Sequence, residues 1–199
     1  MNDRLALLVL AGGRSKRLGE IKSLVEINNE PMIKKVVKEV SVITSEVIIS
    51  CSEGRGKLEA IFPDARIHRD NFEEEGPLVG LMSSLPSIRR EYVAVVPCDS
   101  PLIKLEVLEL LFEEAKEHSG AIPRWPNGYL EPLTAVYRVE ELVDATKSTW
   151  REGNMKLTKV IDKLEDVNFV STENIKSVDG KLESFININT QEDLEKNFR

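Results

Sequence analysis

Four short apolar runs in the first half of the chain limit what it can fold into. They are LALLVL, EVIIS, ARIH and YVAVV, at Leu5–Leu10, Glu46–Ser50, Ala65–His68 and Tyr92–Val96. All but the third are nearly continuous in apolar residues. Strands of a parallel sheet have this pattern because helices bury both of their faces. The runs therefore predict four strands of one parallel sheet.

Amphipathic segments separate these strands, as expected for repeated strand–helix units. PMIKKVVKEV has a proline in its first turn and apolar residues at helical spacing. EGRGKLEAIF and GPLVGLMSSL are further helix candidates, and Leu105–His118 has the strongest helical pattern. This alternation predicts a parallel sheet with helices on both faces.

The pattern changes after Gly120. The second half is predicted to form two strands, two helices, a further strand and a last helix, at AIPRW, LTAVYRV, Glu140–Trp150, Met155–Leu164, Val167–Val170 and Gln191–Phe198. Thr190 and Asp193 provide a cap-like start for the last helix. We expect one α/β domain over residues 1–199, with a mostly parallel central sheet and an antiparallel edge from the second half.

The charge balance and composition exclude several classes of function. The formal net charge is -7, whereas general nucleic-acid binding depends on clustered cations. The cysteines, Cys51 and Cys98, and the histidines, His68 and His118, lack zinc-site spacing. No apolar run is long enough to span a bilayer, and no signal-peptide pattern begins the chain. We expect a cytoplasmic protein that binds neither nucleic acid nor membranes.

The first predicted strand runs directly into LAGGRSKRLG, which combines glycines with basic residues. Glycines let backbone N–H groups approach an anion closely, and Arg14, Lys16 and Arg17 would offset phosphate charge. The spacing matches neither GxGxxG nor GxxxxGK[ST], which disfavours dehydrogenases and P-loop enzymes. Taken alone, the loop is as compatible with a solvated surface loop as with phosphate binding.

A carboxylate stands at the end of the YVAVV strand. PCDSP places Asp99 between two prolines, at the strand end where ligands of parallel sheets bind. Such a carboxylate can ligate a Mg²⁺ ion that bridges substrate phosphates, or it can cap the following turn. The glycine-rich basic loop favours the metal role.

The segment between ARIH and GPLVG contains further candidates. Asp70 follows the ARIH strand, and the acidic run Glu73–Glu75 is typical of a solvated face without a catalytic role. Gly76, Pro77 and Gly80 indicate a tight entry to a helix, where backbone groups could recognise a planar base.

Five motifs occur in an order that spans Leu10 to Asp193. They are LAGGRSKRLG with Lys22, GPLVG, PCDSP, EPLTAVY and FININT. This set resembles the molybdenum cofactor guanylyltransferases, a MobA-type branch of the nucleotidyltransferases. LAGG with a following RxG is shared by many nucleotidyltransferases, whereas GPLVG, EPLTAVY and the terminal NINT are more specific to this branch. The resemblance implies a Rossmann-like three-layer sandwich of the nucleotide-diphospho-sugar transferase type.

The resemblance also implies an activity. GMP would be transferred from GTP to the terminal phosphate of the molybdopterin cofactor, with Mg²⁺ as cofactor and pyrophosphate as product. Such an in-line displacement requires two polyanions to be positioned and their charge to be stabilised. We expect no general base, because the attacking group is already a phosphate anion. GTP and the molybdopterin cofactor are the expected partners of a monomer or weak homo-oligomer.

The motifs and the resemblance together predict the site residues. The nucleotide-binding residues are Leu10, Ala11, Gly12, Gly13, Arg14, Lys22, Asp70, Gly76, Pro77 and Asp99. Arg17, Lys22 and Asp99 are the catalytic candidates, with Asp99 as the Mg²⁺ ligand. Asn187 and Asn189 match paired asparagines in the family's last strand and are assigned to the acceptor side.

Two segments depart from the family pattern and leave alternatives open. RLGEIK is shorter than its family counterpart, with Ile21 where an Asp usually precedes the lysine. SCSEG stands where an Asn is usual, so Ser50 or Ser52 would replace that contact. The alternative functions are transfer from CTP, transfer to another phosphorylated acceptor such as a sugar phosphate, and non-catalytic regulation by a bound nucleotide.

Three other residues receive structural interpretations. Trp125 is predicted to be a loop aromatic that packs on the body of the protein, with lining of the acceptor side as the alternative. The resemblance implies that Glu131, in EPLTAVY, lies near the acceptor. Cys98 is predicted to pack as a small apolar residue.

Overall fold

The computed structural model describes residues 2–12, 21–70, 72 and 74–198. The strands among them are β1 (Leu5–Leu10), β2 (Glu26–Ile27), β3 (Glu30–Pro31), β4 (Val47–Cys51), β5 (Arg66–Arg69), β6 (Tyr92–Pro97), β7 (Gly120–Arg124), β8 (Ala135–Arg138) and β9 (Val167–Ser171). The helices are α1 (Met32–Val40), α2 (Arg55–Ile61), α3 (Pro77–Ser84), α4 (Leu105–Ala115), α5 (Val139–Arg151), α6 (Leu157–Ile161), α7 (Thr172–Ile175) and α8 (Gln191–Phe198).

Seven strands form the central sheet in the order β5-β4-β1-β6-β8-β7-β9. The first four are parallel neighbours, and β9 is parallel to β7. Only β8 is antiparallel to its neighbours in this sheet of described residues. The predicted α/β fold with a mostly parallel sheet is confirmed. The antiparallel strand lies third from the β9 edge, because the crossover after β8 returns the chain to the outer side of β7.

Strand β1 lies at the middle of the core and is covered on both faces. Leu5, Leu7 and Val9 pack into one apolar layer, whereas Ala6 and Leu8 pack into the other. All five side chains are fully buried. Burial of each leucine stabilises the fold by about 1.5–3 kcal/mol.

Helices form a layer on each face of the sheet, as predicted. Helices α1 and α4 contribute Ile33 and Leu108 to the first apolar layer. Helices α3, α5 and α6 contribute Leu78, Leu142 and Val160 to the second. Among the described residues, no helix is both long and apolar enough to cross a membrane.

The strand order creates a switch point beside β1. The chain passes from β1 to β4 on one side of the sheet, and later crosses from β5 to β6 on the other side. Leu10 at the end of β1 therefore lies in register with both Ser50 and Pro97. The carboxyl ends of strands at such a point are where ligands bind in α/β sheets.

Most predicted elements are confirmed, with ends displaced by at most a few residues. The bounds of β1 and α8 are the predicted ones. The hairpin of β2 and β3 and the short helix α7 were not predicted. The strands of this hairpin have two residues each, too few to show an apolar pattern, and its turn places Asn28 and Asn29 at φ 54° and 63°.

Gly120 marks a close approach between β7 and β8. A Cβ atom at this position would lie 2.7 Å from the Val136 carbonyl oxygen and 3.0 Å from the Tyr137 ring. We expect Gly120→Ala to lower the free energy of unfolding by about 1–3 kcal/mol, because a backbone carbonyl in a sheet cannot move aside. Chemical denaturation would measure this change.

Gly56→Ala provides the matched control. Gly56 lies in α2, and a Cβ atom there would meet nothing within 4 Å. We expect this substitution to raise the free energy of unfolding by about 0.5–1 kcal/mol, because alanine is a better helix former than glycine. Equal losses in the two variants would contradict the close approach at Gly120.

Candidate active site

A cavity of about 250 Å³ lies at the carboxyl ends of β1, β4 and β6. Its lining residues are Leu10, Gly12, Lys22, Ser50, Asp70, Gly76, Pro77, Gly80, Pro97, Cys98, Asp99 and Leu133. Seven of these belong to the predicted nucleotide-binding set. Ala11, also in that set, is buried below the cavity, where its N–H donates to the Ser50 carbonyl at 2.7 Å.

Lys22 joins two of the predicted polar residues. Its Nζ atom donates hydrogen bonds to Asp99 Oδ2 and, at 2.6 Å, to Asn189 Oδ1. The Lys22 and Asp99 side chains are 17% and 16% exposed, so this ion pair is well shielded from solvent. Coulomb attraction is stronger in such a setting than between exposed charges. The three residues come from the beginning, middle and end of the chain.

The end of β6 determines where Asp99 lies. The N–H of the preceding residue, Cys98, donates to the Leu10 carbonyl at 3.1 Å and so continues the pairing of β6 with β1. Cys98 is buried in the first apolar layer, which confirms its predicted packing role. Burial and the nearby Asp99 carboxylate raise the pKa of the Cys98 thiol to about 12. The thiol therefore remains protonated at neutral pH.

The two asparagines predicted to lie on the acceptor side pack against the loop that carries Asp99. The Asn187 Oδ1 atom accepts a hydrogen bond from the Ser100 hydroxyl at 2.8 Å. Between the two asparagines, the Ile188 N–H donates to the Asp99 carbonyl at 2.8 Å. Their assignment to the acceptor side stays a prediction, and their placement in a strand is wrong. Residues 186–190 have irregular backbone, because their hydrogen bonds go to the Asp99 loop and to the cap of α8 rather than to a strand.

A buried serine supports the carboxylate on the opposite side of the cavity. The Ser50 hydroxyl donates to Asp70 Oδ1 at 2.5 Å, and Ser50 is 1% exposed. Burial raises the pKa of Asp70, and the hydrogen bond from Ser50 offsets part of that effect. Of the two serines considered above, Ser50 lines the cavity and Ser52 does not.

Two glycines on this side of the cavity allow the backbone to pack closely against neighbouring side chains. A Cβ atom on Gly12 would lie 3.2 Å from Asp70 Oδ2, and one on Gly80 would lie 2.9 Å from Leu10 Cδ2. Gly76 has φ +130° and directly precedes Pro77, the first residue of α3. The predicted tight entry to a helix is confirmed. The fit of a planar base in this space stays a prediction.

Three predicted residues lie outside the part of the chain that the structure describes. They are Gly13 and Arg14 of the nucleotide-binding set and the catalytic candidate Arg17. Their assignment to the phosphate loop stays a prediction. The described residues on both sides of this gap, Gly12 and Lys22, both line the cavity.

The donor atoms around Lys22 suit a divalent cation of the Mg²⁺ type. Mg²⁺ prefers oxygen ligands and is commonly held by one or two carboxylates together with substrate phosphates. Asp99 supplies a carboxylate and Asn189 a carbonyl oxygen, and both already contact the positive charge of Lys22. The described residues contain no cluster of three or more His, Cys, Asp or Glu side chains that could hold a metal without substrate.

Trp125 and Glu131 form a contact that the sequence did not predict. The Trp125 Nε1–H donates to Glu131 Oε1 at 2.8 Å, and the indole packs edge-on against Phe185 at a centroid distance of 5.8 Å. Trp125 thus packs on the body of the protein, as predicted. Burial raises the pKa of Glu131, and the bond from Trp125 partly offsets this.

Comparison with known proteins gives a consistent result. Residues 7–167 match the MobA-like NTP transferase domain. A protein named probable molybdenum cofactor guanylyltransferase from Methanosarcina mazei is 35% identical, over 94% of this chain and 87% of the relative. A protein of the same name from Pyrococcus horikoshii is 34% identical, over 96% and 97% of the two chains.

Solved structures agree with these matches. Molybdopterin-guanine dinucleotide biosynthesis protein A from Archaeoglobus fulgidus superposes with a TM-score of 0.82 at 26% identity, over 97% of this chain and 96% of that one. The 4-diphosphocytidyl-2C-methyl-D-erythritol synthase from Anaerococcus prevotii shares the fold, with a TM-score of 0.71 at 14% identity over 96% and 95%. Fold and matches together define a nucleotidyltransferase. Within that class, the chain belongs to the MobA-like NTP transferase family.

The raised pKa of Asp70 has a consequence for stability. The folded chain holds this proton more tightly than the unfolded chain, so stability falls as the pH rises from the ordinary aspartate pKa to the raised value. We expect Asp70→Asn to raise the melting temperature near neutral pH, where the buried charge is fully present, and to give a smaller gain in acid. Thermal unfolding of both proteins across this pH range would measure the difference.

Asp64→Asn serves as the control for Asp70→Asn, because Asp64 is exposed near the start of β5. It should leave the melting temperature nearly unchanged throughout the range. A gain for Asp70→Asn that is the same at every pH would contradict the assignment to a buried charge.

Proposed function

We propose that this chain transfers GMP from GTP to the terminal phosphate of the molybdenum cofactor and releases pyrophosphate. The observation that carries the proposal is the contact of Lys22 with both Asp99 and Asn189 at the edge of the cavity, in a chain 35% identical to a relative named probable molybdenum cofactor guanylyltransferase. We further propose that the chain acts as one domain, because Asn189 contacts Lys22, which lines the cavity at the end of β1.

The proposed reaction is a displacement at the α-phosphorus of GTP. An oxygen of the acceptor phosphate forms a bond to this phosphorus, and the bond from the phosphorus to the oxygen of the β-phosphate breaks. Pyrophosphate leaves with that electron pair. Because the nucleophile is an anion, the protein has no proton to remove. Its tasks are to align two polyanions and to offset their charge.

Among the described residues that line the cavity, Lys22 supplies the positive charge that can offset the charge of the phosphates. Its ammonium forms an ion pair with Asp99, and phosphate oxygens would offer it an anionic partner of the same kind. Arg14 and Arg17 belong to the same loop in sequence and are proposed to add positive charge around the triphosphate. A buried or shielded cation stabilises phosphate charge more than a solvated one does.

Asp99 and Asn189 are the residues proposed to hold Mg²⁺. Their oxygens are of the hard type that this ion prefers, and both face one positive charge in the structure. Bound Mg²⁺ would supply Lewis-acid polarisation of the phosphate oxygens. The hydrogen bond from Ile188 to the Asp99 carbonyl and the bond from Ser100 to Asn187 keep both segments in place for this role.

Asp70 is proposed to contribute to the choice of base. Guanine presents two adjacent N–H donors on one edge, a pattern that a carboxylate accepts well, whereas cytosine presents one amino group there. Ser50 fixes the carboxylate by its 2.5 Å hydrogen bond, and Gly12, where a Cβ would lie 3.2 Å from Asp70 Oδ2, places no side chain against it. This arrangement favours GTP over CTP.

Pyrophosphate release tests the activity and the choice of nucleotide together. With Mg²⁺ and molybdenum cofactor present, we expect release from GTP and little from CTP, ATP or UTP. Omission of the cofactor should abolish release, because no acceptor phosphate is then present. Release from CTP instead would contradict guanylyl transfer. Binding of GTP without release would favour another acceptor, such as a sugar phosphate, or a regulatory role.

Asp99→Asn tests the role proposed for Asp99 in holding Mg²⁺ beside the phosphates. It keeps the size of the side chain but removes the charge, so we expect turnover to fall by at least about 100-fold, comparable to the loss of other transition-state stabilisers. Steady-state kinetics with GTP and cofactor would measure it. Asp162→Asn, at a surface ion pair with Lys159 in the α6 region, should retain activity. Equal turnover of Asp99→Asn and the control would remove Asp99 from the mechanism.

A further inference from the structure

Asp179 is a fully buried carboxylate for which the proposed reaction has no use. It is 0% exposed, and its oxygens accept hydrogen bonds from Lys104 Nζ at 2.7 Å and from the Ser184 N–H at 2.8 Å. It lies shortly before the acceptor-side asparagines in sequence. A buried carboxylate requires compensating partners, so its presence at this place calls for a physical reason.

The charge state of Asp179 is determined by its partners. Burial alone would raise the pKa of its carboxyl group, but the hydrogen bonds from Lys104 and Ser184 outweigh burial and lower it. The bond to Asp179 is also the main reason that the pKa of Lys104 is raised. The two residues therefore form an ion pair at neutral pH, and Glu183 adds a second carboxylate 3.3 Å from Lys104 Nζ.

Further hydrogen bonds continue from this ion pair to the active site. The Lys104 N–H donates to Ser184 Oγ at 3.1 Å. The Ser100 hydroxyl donates to Asn187, and the Ile188 N–H donates to the Asp99 carbonyl, both at 2.8 Å. The partners of residues 99, 100 and 104 are thus residues 188, 187 and 184. The loop after β6 and the segment 184–188 lie side by side in opposite directions.

The apolar packing of this segment cannot by itself determine its register. Ile188 is fully buried in a small cluster with Ile27 and Met32. Such contacts depend on area and have little directional preference. The charged and hydrogen-bonded contacts at the other end are directional. Leu182, within the turn between Asp179 and Ser184, has φ 56°, a left-handed conformation that costs energy for leucine and must be held by its surroundings.

We propose that Asp179 is a positioning residue for the transfer reaction. Its ion pair with Lys104 fixes the segment 184–189 against the loop that carries Asp99, and so determines where Asn187 and Asn189 lie relative to that carboxylate. The inference rests on the proposed function, since it assigns these asparagines to the acceptor side. The contacts of Asp179 with Lys104 and Ser184, called the clamp below, are predicted to act on the acceptor and to leave nucleotide binding in the absence of Mg²⁺ unaffected.

Asp179→Asn in the full-length protein is the first test. The substitution keeps the shape of the side chain and removes the charge that holds Lys104. We expect kcat/KM for the molybdenum cofactor to fall about 10- to 100-fold, as is typical when a residue that orients a ligand-binding side chain is changed. The affinity for GTP, measured by calorimetry without Mg²⁺ so that the proposed metal role of Asn189 does not enter, should be unchanged. A parallel loss of GTP affinity and turnover would show a merely structural role and overturn the proposal.

Two further variants control this test. Lys104→Arg keeps the positive charge and should retain most of the cofactor kcat/KM. Lys163→Met removes an exposed ion pair of similar length, with Glu152 at 2.6 Å in the α5 and α6 region, and should have no effect on kinetics. If Asp179→Asn does not fold, Lys104→Gln removes the other charge of the ion pair and should lower the cofactor kcat/KM in the same way. Unchanged acceptor kinetics in a folded variant of either kind would contradict the clamp.

Amide hydrogen exchange separates this proposal from the proposed function. The Ile188 N–H is bonded to the Asp99 carbonyl, whereas the Ala11 N–H is bonded to the Ser50 carbonyl at the other side of the cavity. We expect Asp179→Asn to speed exchange at Ile188 and to leave Ala11 protected. This result would support the clamp even if the wild-type protein proved inactive with molybdenum cofactor. Unchanged exchange at Ile188 would overturn the clamp whatever the activity.

Discussion

The rest of the structure depends on one constraint, which is that β1 is buried on both faces and paired along both edges. Its side chains enter two apolar layers, and its backbone pairs with β4 and β6. Such a strand can lie only at the centre of the sheet. Ala11 and Gly12, which follow Leu10, must then lie at the carboxyl edge, beside the ends of both neighbouring strands. The place of the cavity is a consequence of core packing.

Electrostatic complementarity organises the polar side of that cavity. The strand ends bring the Asp99 and Asp70 carboxylates to opposite sides of one space, and each has its own partner, Lys22 and Ser50 respectively. One partner is a cation and the other a neutral hydroxyl. The first carboxylate is thereby suited to phosphate and metal chemistry, and the second to hydrogen bonding with a neutral base. The division follows from the partners, since the two carboxylates are chemically alike.

Strand bounds, strand ends and helix caps depend on a local sequence pattern, and these features were predicted well. The bounds of β1 follow from an unbroken apolar run, and the position of Asp99 just beyond a strand end follows from the apolar run of β6 that precedes it. The cap of α8 follows from Thr190 and Asp193, whose hydrogen bonds are local.

Contacts between distant parts of the chain could not be predicted in the same way. The bonds from Ser50 to Asp70 and from Lys104 to Asp179 join residues 20 and 75 positions apart, and no short motif encodes them. The strand expected around Asn187 and Asn189 is absent from the described backbone because its hydrogen bonds go to the Asp99 loop instead. The residue type at such a position shows that the side chain is polar, but it does not show which distant residue the side chain will bind.

The two partners of Lys22 bear on the order in which the protein folds. Its bonds to Asp99 and Asn189 join residues 77 and 167 positions apart. Contacts across such sequence separations require the closure of long loops and form slowly, whereas β4 and β5 pair across about 20 residues. Neighbouring strands are therefore expected to pair before Lys22 acquires both of its partners. The last step of folding would then be the one that assembles the charged contacts beside the cavity.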